Sequence, residues 1–152
     1  MGTHFQGTAA EQQALNTFIK LMRASDAVNN QINYHLSDYN LTVSQFGVLE
    51  AIYHLGPLTQ TQLGEKILKS SGNITYVVDN LEAQDLVERV RDSEDRRRYF
   101  IHMTPEGRQL ISQIFPRHVA RIVEVMQTLS LEEQTTLDRL CRKLGLGAEN
   151  GS

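Results

Sequence analysis

Val87-Glu-Arg-Val-Arg91-Asp-Ser-Glu-Asp95-Arg-Arg-Arg-Tyr99-Phe-Ile-His-Met103 breaks the helical periodicity that governs the rest of this 152-residue chain. Its two ends alternate or carry β-formers, and Asp92-Ser93-Glu94-Asp95 between them is rich in turn residues. The stretch reads as a β-hairpin with strands at 87–91 and 99–103 and a charged tip. Five arginines, at 89, 91, 96, 97 and 98, fall within it.

Outward from the hairpin, helix starts are marked by capping chemistry, because first-turn N–H groups need acceptors. Thr42-Val-Ser-Gln45, Thr59-Gln-Thr-Gln62 and Ser130-Leu-Glu-Glu133 fit the reciprocal capping box. Thr104-Pro105-Glu106 places a capping hydroxyl before a proline at the first helical position. Gly56-Pro57 is a stop signal, and Gly145 is expected to end the last helix. Between these marks apolar residues recur at helical spacing. Leu15, Phe18, Met22, Val28, Ile32, Leu36 and Tyr39 predict one long leading helix. Val43, Phe46, Leu49, Ile52 and Leu55 mark a second, Leu63, Ile67 and Leu68 a short third, and Ile74, Val77, Val78 and Leu81 a fourth. A fifth helix, with Pro116 inside it as a predicted kink, carries a wide stripe from Leu110 to Leu129; Leu137, Leu140 and Leu144 line a sixth. The predicted fold is mainly α with a two-stranded β wing, a winged helix-turn-helix at 42–104. The fifth and sixth helices, 105–146, have more apolar surface than one small winged domain covers and are expected to pair two copies of the chain; the leading helix, 10–40, lies outside the winged unit as well.

This architecture suits duplex DNA: a helix fits the major groove and a hairpin tip reaches the adjacent minor groove. A reading helix needs small, neutral hydrogen-bonding groups near its N-terminus. Ser70, Ser71, Asn73, Thr75 and Tyr76 meet that demand, with no acid between Lys69 and Asp79. The wing arginines would carry cations to phosphates. Charge alone does not decide the matter. The chain carries a net charge of −3, and residues 59–104 hold seven Lys+Arg against eight Asp+Glu. A globally basic nucleic-acid binder is thereby excluded, and a solvated hairpin whose arginines pair with Asp92, Glu94 and Asp95 stands beside the DNA reading.

Composition bounds the rest. With 40% hydrophobic and 22% charged residues the chain has the makings of one packed domain. No run approaches the ~18 apolar residues of a membrane span, and the leader has no secretory pattern. With a single cysteine, Cys141, the expectation is a cytoplasmic protein without an intramolecular disulfide. No nucleophile–base pairing, P-loop or paired carboxylates point to an enzyme, and the five histidines show no metal-ligand spacing, so neither a catalytic site nor a cofactor or metal is expected.

Asp92-Ser-Glu-Asp95-Arg96-Arg97-Arg98-Tyr-Phe-Ile-His-Met-Thr104-Pro-Glu-Gly107 resembles the wing and following helix of the MarR family of bacterial transcriptional regulators. Asn40-Leu-Thr-Val-Ser-Gln45-Phe, Leu63-Gly-Glu-Lys and Leu81-Glu-Ala-Gln-Asp-Leu86-Val resemble its helix-turn-helix core, and the likeness extends over roughly residues 12–146. The resemblance implies an obligate homodimer interlocked through the first, fifth and sixth helices, reading a pseudo-palindromic operator in double-stranded DNA, with repression the usual outcome. By position Arg97 resembles the arginine that enters the minor groove, with Asp95 as its orienting partner. Ser70, Ser71, Asn73, Thr75 and Tyr76 fall on the major-groove positions. Arg96 and Arg98 alternate with Arg97 on a regular strand, so they are read as phosphate or intramolecular partners.

Some members of this family sense peroxides with a cysteine that Phe18 replaces here; Ile32 and Val43 stand where supporting tyrosines would be. Cys141 is read as a small buried hydrophobe. Other members bind phenolic or aromatic carboxylate effectors between the dimerisation helices and the winged domain. Tyr34, His35, Tyr39, Tyr53 and His54 are the candidates for such a cleft, against a plain packing role for each. A winged-helix protein–protein adaptor without DNA binding is the alternative function.

Overall fold

The computed structural model describes residues 2–67 and 71–151. Along the chain these form helices α1 (Ala9–Ser37) and α2 (Val43–Leu55), strand β1 (Leu58–Thr59), helices α3 (Gln60–Ile67) and α4 (Ser71–Ala83), strands β2 (Val87–Arg91) and β3 (Tyr99–Met103), then helices α5 (Pro105–Met126) and α6 (Leu131–Asn150). The expected helices and both hairpin strands are present. Leu68, expected at the end of the third helix, lies outside the described residues.

Capping explains where the helices begin. Thr42 Oγ1 accepts from the N–H of Gln45 (3.1 Å) while the Gln45 side chain accepts from the N–H of Thr42 (3.0 Å). Ser130 and Glu133 make the same reciprocal pair at α6, and Thr104 Oγ1 accepts from the N–H of Gly107 (3.0 Å) at α5. Thr8 and Glu11 form a further box at the start of α1. At the end of α2, Gly56 adopts φ 81°, ψ −173°, a backbone shape that only glycine takes without strain.

The two-stranded wing is present, and a short third strand that the sequence did not announce joins it: β1 pairs with β3 through Leu58↔Ile101 and Thr59↔Phe100, giving the order β1-β3-β2. Thr59 therefore serves as a strand residue and, through Gln62, as the cap of α3. Two expectations are corrected. Gly145 does not stop α6, which continues to Asn150, because glycine ends a helix only where the chain turns left-handed, and Gly145 does not. Cys141 is exposed, since α6 projects from the body and buries none of its residues. α5 runs unbroken through Pro116.

The core lies where α2, α4 and α5 close over the sheet. Leu49, Ile52, Leu63, Ile74, Val78, Leu81, Val87, Ile101, Ile111 and Ile114 are fully buried there, and Ile32 and Leu36 dock the second half of α1 on it. This core fixes the wing to the helix-turn-helix. By contrast Phe18 and Met22 on α1, Val119 and Val123 on α5, and Leu137, Leu140 and Leu144 on α6 are exposed in the single chain.

Candidate nucleic-acid interface

The first turns of α4 form one half of the site. Asn73 and Thr75 are exposed, as is Tyr76, whose ring lies 70% open to solvent. Ile74, Val77 and Val78 on the opposite side are buried and hold the helix by its apolar face. Ser71 is the first residue of α4; Ser70 lies outside the described residues.

The wing is the other half. In the β2–β3 register Arg91 faces Tyr99, and residues 92–98 make the tip. Arg96, Arg97 and Arg98 lie in this tip, before β3 begins, so strand alternation does not set their directions as expected. Ion pairing sets those of Arg97 and Arg98 instead. Asp92, with its carboxylate almost buried, accepts from the N–H of Glu94 (3.0 Å) and from Arg98 Nη2 (2.5 Å). Those two contacts, the backbone N–H foremost, hold its carboxyl below the usual aspartate range, while the hydrogen bond to Asp92, and then its charge, raise the Arg98 guanidinium. Arg98 is thus the intramolecular partner of the hairpin base. Arg97 is different: its side chain is 92% exposed, and Asp95 Oδ1 accepts both its Nε–H and its N–H, each at 3.1 Å. Those bonds, with the side-chain one larger, lower the Asp95 carboxyl. The guanidinium stands off the tip with its outer edge in water.

The two halves are joined. Thr59, Gln60 and Thr61 at the start of α3 face Asp95, Arg97, Arg98 and Tyr99 across an open groove of about 530 Å³. Gln60 Nε2 donates to Thr75 Oγ1 (3.1 Å), linking the groove to the reading face. Arg89 does not point outward as a wing cation. It donates to Asp79 Oδ1 (2.6 Å) and Glu82 Oε1 (2.8 Å) on α4 and to Gln60 Oε1 (3.0 Å). Sequence reasoning missed Gln60 altogether, because its partners lie 15 and 29 residues away. Arg91 donates to Tyr99 Oη and lies over its ring.

The five effector candidates divide into separate neighbourhoods. Tyr34 is 78% exposed. His35 and Tyr39 meet edge to face near the α1–α5 contact, where His35 stacks on His118 at 5.9 Å and His118 packs on Phe46 at 4.2 Å. Tyr39 Oη accepts from Arg117 (2.9 Å). Burial, with a smaller contribution from the nearby His35, pushes the His118 imidazole below its ordinary pKa, and His35 Nε2 and His118 Nδ1 are both buried without a hydrogen-bond partner. Tyr53 and His54 lie farther along α2, both near Phe115, with Arg108 over the Tyr53 ring. His54 also lines an open groove of about 450 Å³ with Glu50, Leu55, Lys66 and Ile67. Sequence marked Phe46 only as an apolar helix position and gave Arg117 and His118 no part here; the fold brings His118 to His35 and Phe46, and Arg117 to Tyr39. Among the described residues no three metal-ligating side chains converge, and no helix is long and apolar enough to cross a membrane.

Residues 39–98, spanning α2 through the wing tip, match the family model described as MarR family. The chain is 40% identical to the HTH-type transcriptional regulator MhqR of Bacillus subtilis, covering 91% of this chain and 95% of that one. Its fold matches Sco3205, a MarR family regulator of Streptomyces coelicolor solved in complex with DNA (TM-score 0.84, 21% identity, 95% of this chain and 91% of that). It also matches Bordetella bronchiseptica BpsR, whose DNA binding is regulated by 6-hydroxynicotinic acid (TM-score 0.77, 24% identity, 85% and 98%). A winged helix-turn-helix with an arginine-tipped hairpin beside a polar reading helix, together with this extent of identity, places the chain in the MarR family of transcriptional regulators.

Proposed function

We propose that two copies of this chain bind a pseudo-palindromic operator in double-stranded DNA and that a small aromatic effector releases them, with repression as the regulatory outcome. Each copy lays α4 in a major groove, where Ser70, Ser71, Asn73, Thr75 and Tyr76 meet base edges and phosphates. Arg97, steadied by Asp95, enters the neighbouring minor groove; Arg96 and Arg98 serve the backbone or the wing itself. The observation that carries this reading is the joined arrangement of an exposed polar α4 face and an exposed Arg97 around one groove, bridged by the Gln60–Thr75 hydrogen bond. The DNA complex of Sco3205 supports it by fold.

Pairing rests on the exposed apolar residues of α1, α5 and α6, which a single chain leaves in water. Two-fold symmetry then presents two α4 helices about one turn of duplex apart. For the effector, His35 and Tyr39 beside His118, and Tyr53 and His54 beside Phe115, offer two separate sets of ring faces and donors, and the ligand named for BpsR is of the expected aromatic class. Tyr34 is assigned no effector contact, because its ring lies in solvent. An effector acts by favouring a spacing of the α4 helices that misses successive grooves.

Selection from a random duplex library, followed by titration across salt, tests the reading. A selected duplex should bind at least about 10³-fold tighter than mixed-sequence DNA, with affinity falling steeply as salt rises. Failure to enrich any duplex would overturn it.

A further inference from the structure

We infer that Arg89 and Gln60 are positioning residues that set the sequence specificity of the reading helix without touching DNA. The inference rests on the DNA-binding function proposed above. Arg89 comes from β2, yet its guanidinium is committed to α4 and α3: Nη2 to Asp79 (2.6 Å), Nη1 to Glu82 (2.8 Å) and Nε to Gln60 Oε1 (3.0 Å). Its own N–H donates to Glu82 Oε2 (3.3 Å), so one carboxylate grips both backbone and side chain. The side chain is only 20% exposed. Turning it to a phosphate would exchange three bonds, two of them between full charges, for one. It would also leave Asp79 and Glu82, three residues apart on the reading helix, bare beside a polyanion. The clamp therefore stays closed.

Its effect passes through Gln60. The amide oxygen is occupied by Arg89, so the amide nitrogen must point the other way, and it does: Nε2 donates to Thr75 Oγ1 (3.1 Å). Arg89 thus fixes which way the Gln60 amide faces and which way Thr75, on the first turns of α4, presents its hydroxyl. The same clamp binds wing, α3 and α4 into one body. Base readout tolerates about 0.5 Å of misplacement, whereas phosphate attraction is far more forgiving. Loosening the clamp should therefore degrade discrimination before it degrades general affinity.

Lysine separates the two possible roles of Arg89. It binds a phosphate well as a point charge but cannot bridge three partners in a plane. Arg89→Lys, Gln60→Ala and the double variant are titrated with a duplex selected by the wild-type protein and with mixed-sequence duplex, each over a range of salt. Arg89→Lys is expected to weaken the selected duplex about tenfold while mixed-sequence binding changes less than about twofold and the salt slope stays within about half a unit. Gln60→Ala should move the same ratio in the same direction, and the double variant should be no worse than Arg89→Lys, because the two act in series. If Arg89→Lys retains the wild-type ratio, or if both duplexes weaken together as the slope falls by about one, the inference is overturned and Arg89 is no positioning residue. Should Arg89→Lys fail to fold, Gln60→Ala carries the test alone, since it leaves the charge unchanged. Wild-type protein that selects no duplex overturns the regulator reading itself, which the variants cannot mimic.

Discussion

Gly107 sits one turn into α5, where that helix leaves the wing. A Cβ built there would overlap the backbone carbonyl oxygen of Leu86 and lie 2.9 Å from Met103 Cγ and 3.0 Å from the Leu86 carbonyl carbon. The methionine tip can swing aside; the peptide of Leu86 cannot. Leu86 is buried, and its carbonyl already accepts from the N–H of Thr104 (3.1 Å), while Thr104 Oγ1 donates to the Asp85 carbonyl (2.6 Å). Gly107→Ala therefore forces apart the junction between the end of α4 and the start of α5. Overpacking of this kind costs about 1–3 kcal/mol, and a weakened backbone hydrogen bond adds about 1. The better helix propensity of alanine returns up to about 1 kcal/mol, leaving about 2 kcal/mol of net destabilisation. For a chain of this length that is a fall in Tm of about 4–8 °C. Gly145→Ala is the internal control. It lies inside α6, and its Cβ would meet nothing within 4 Å, so the same substitution should raise Tm by about 2 °C. Thermal unfolding followed by circular dichroism, at one protomer concentration for all three proteins, gives the answer. A Gly107→Ala protein that melts within 1 °C of the wild type, or a Gly145→Ala protein that falls with it, would refute the reasoning.

Other outcomes follow from pairing and from charge. Leu140→Glu with Leu144→Glu on the exposed face of α6 should halve the mass seen by sedimentation equilibrium, from twice 17.2 kDa to 17.2 kDa, and abolish tight duplex binding; a variant that stays paired would remove α6 from the interface. The Asp92 carboxyl, lowered by the N–H of Glu94 and by Arg98, should titrate by carbon-detected NMR below 3.8, so the wing contact it makes is complete above that value and lost as pH falls through its own midpoint. A midpoint at or above 3.8 would contradict that. His118 is also lowered, from 6.5, so its unfolded form takes up a proton first, and the stability it contributes is complete above pH 6.5 and fades below it. Between pH 7.5 and 5.5 the urea midpoint of the wild type should fall further than that of His118→Phe; equal falls would show that His118 is not the responsible group.

The hairpin was legible because β-formers flanked a cluster of turn residues, and both strands lie where that pattern puts them. β1 was not, since two residues carry no alternation and Leu58-Thr59 becomes a strand only by pairing with residues 100 and 101. Gly145 illustrates the same limit from the other side: a glycine looks like a stop until the backbone angle is known. The capping box at Thr8 and Glu11 is written in the sequence as plainly as the others. Tyr34 could have been set aside from helix phase, because Ile32 and Leu36 define the buried face of α1 and residue 34 points the other way. The arginines show what sequence does not contain. Arg89 and Arg97 are both wing arginines by position, yet one is consumed by Asp79 and Glu82 while the other stands in water. That division is decided by the Arg89 partners, which lie seven and ten residues back on α4, while the Arg97 partner is its near neighbour in the tip.

Hydroxyl-radical footprinting of the selected duplex, with wild-type protein and with Arg97→Ala, bears most directly on how this molecule meets DNA. Two segments of protected backbone centred about one turn apart should appear, one for each α4, flanked by minor-groove protections that Arg97→Ala removes while the inner segments persist. A single protected segment, or flanking protections indifferent to the loss of Arg97, would contradict the account.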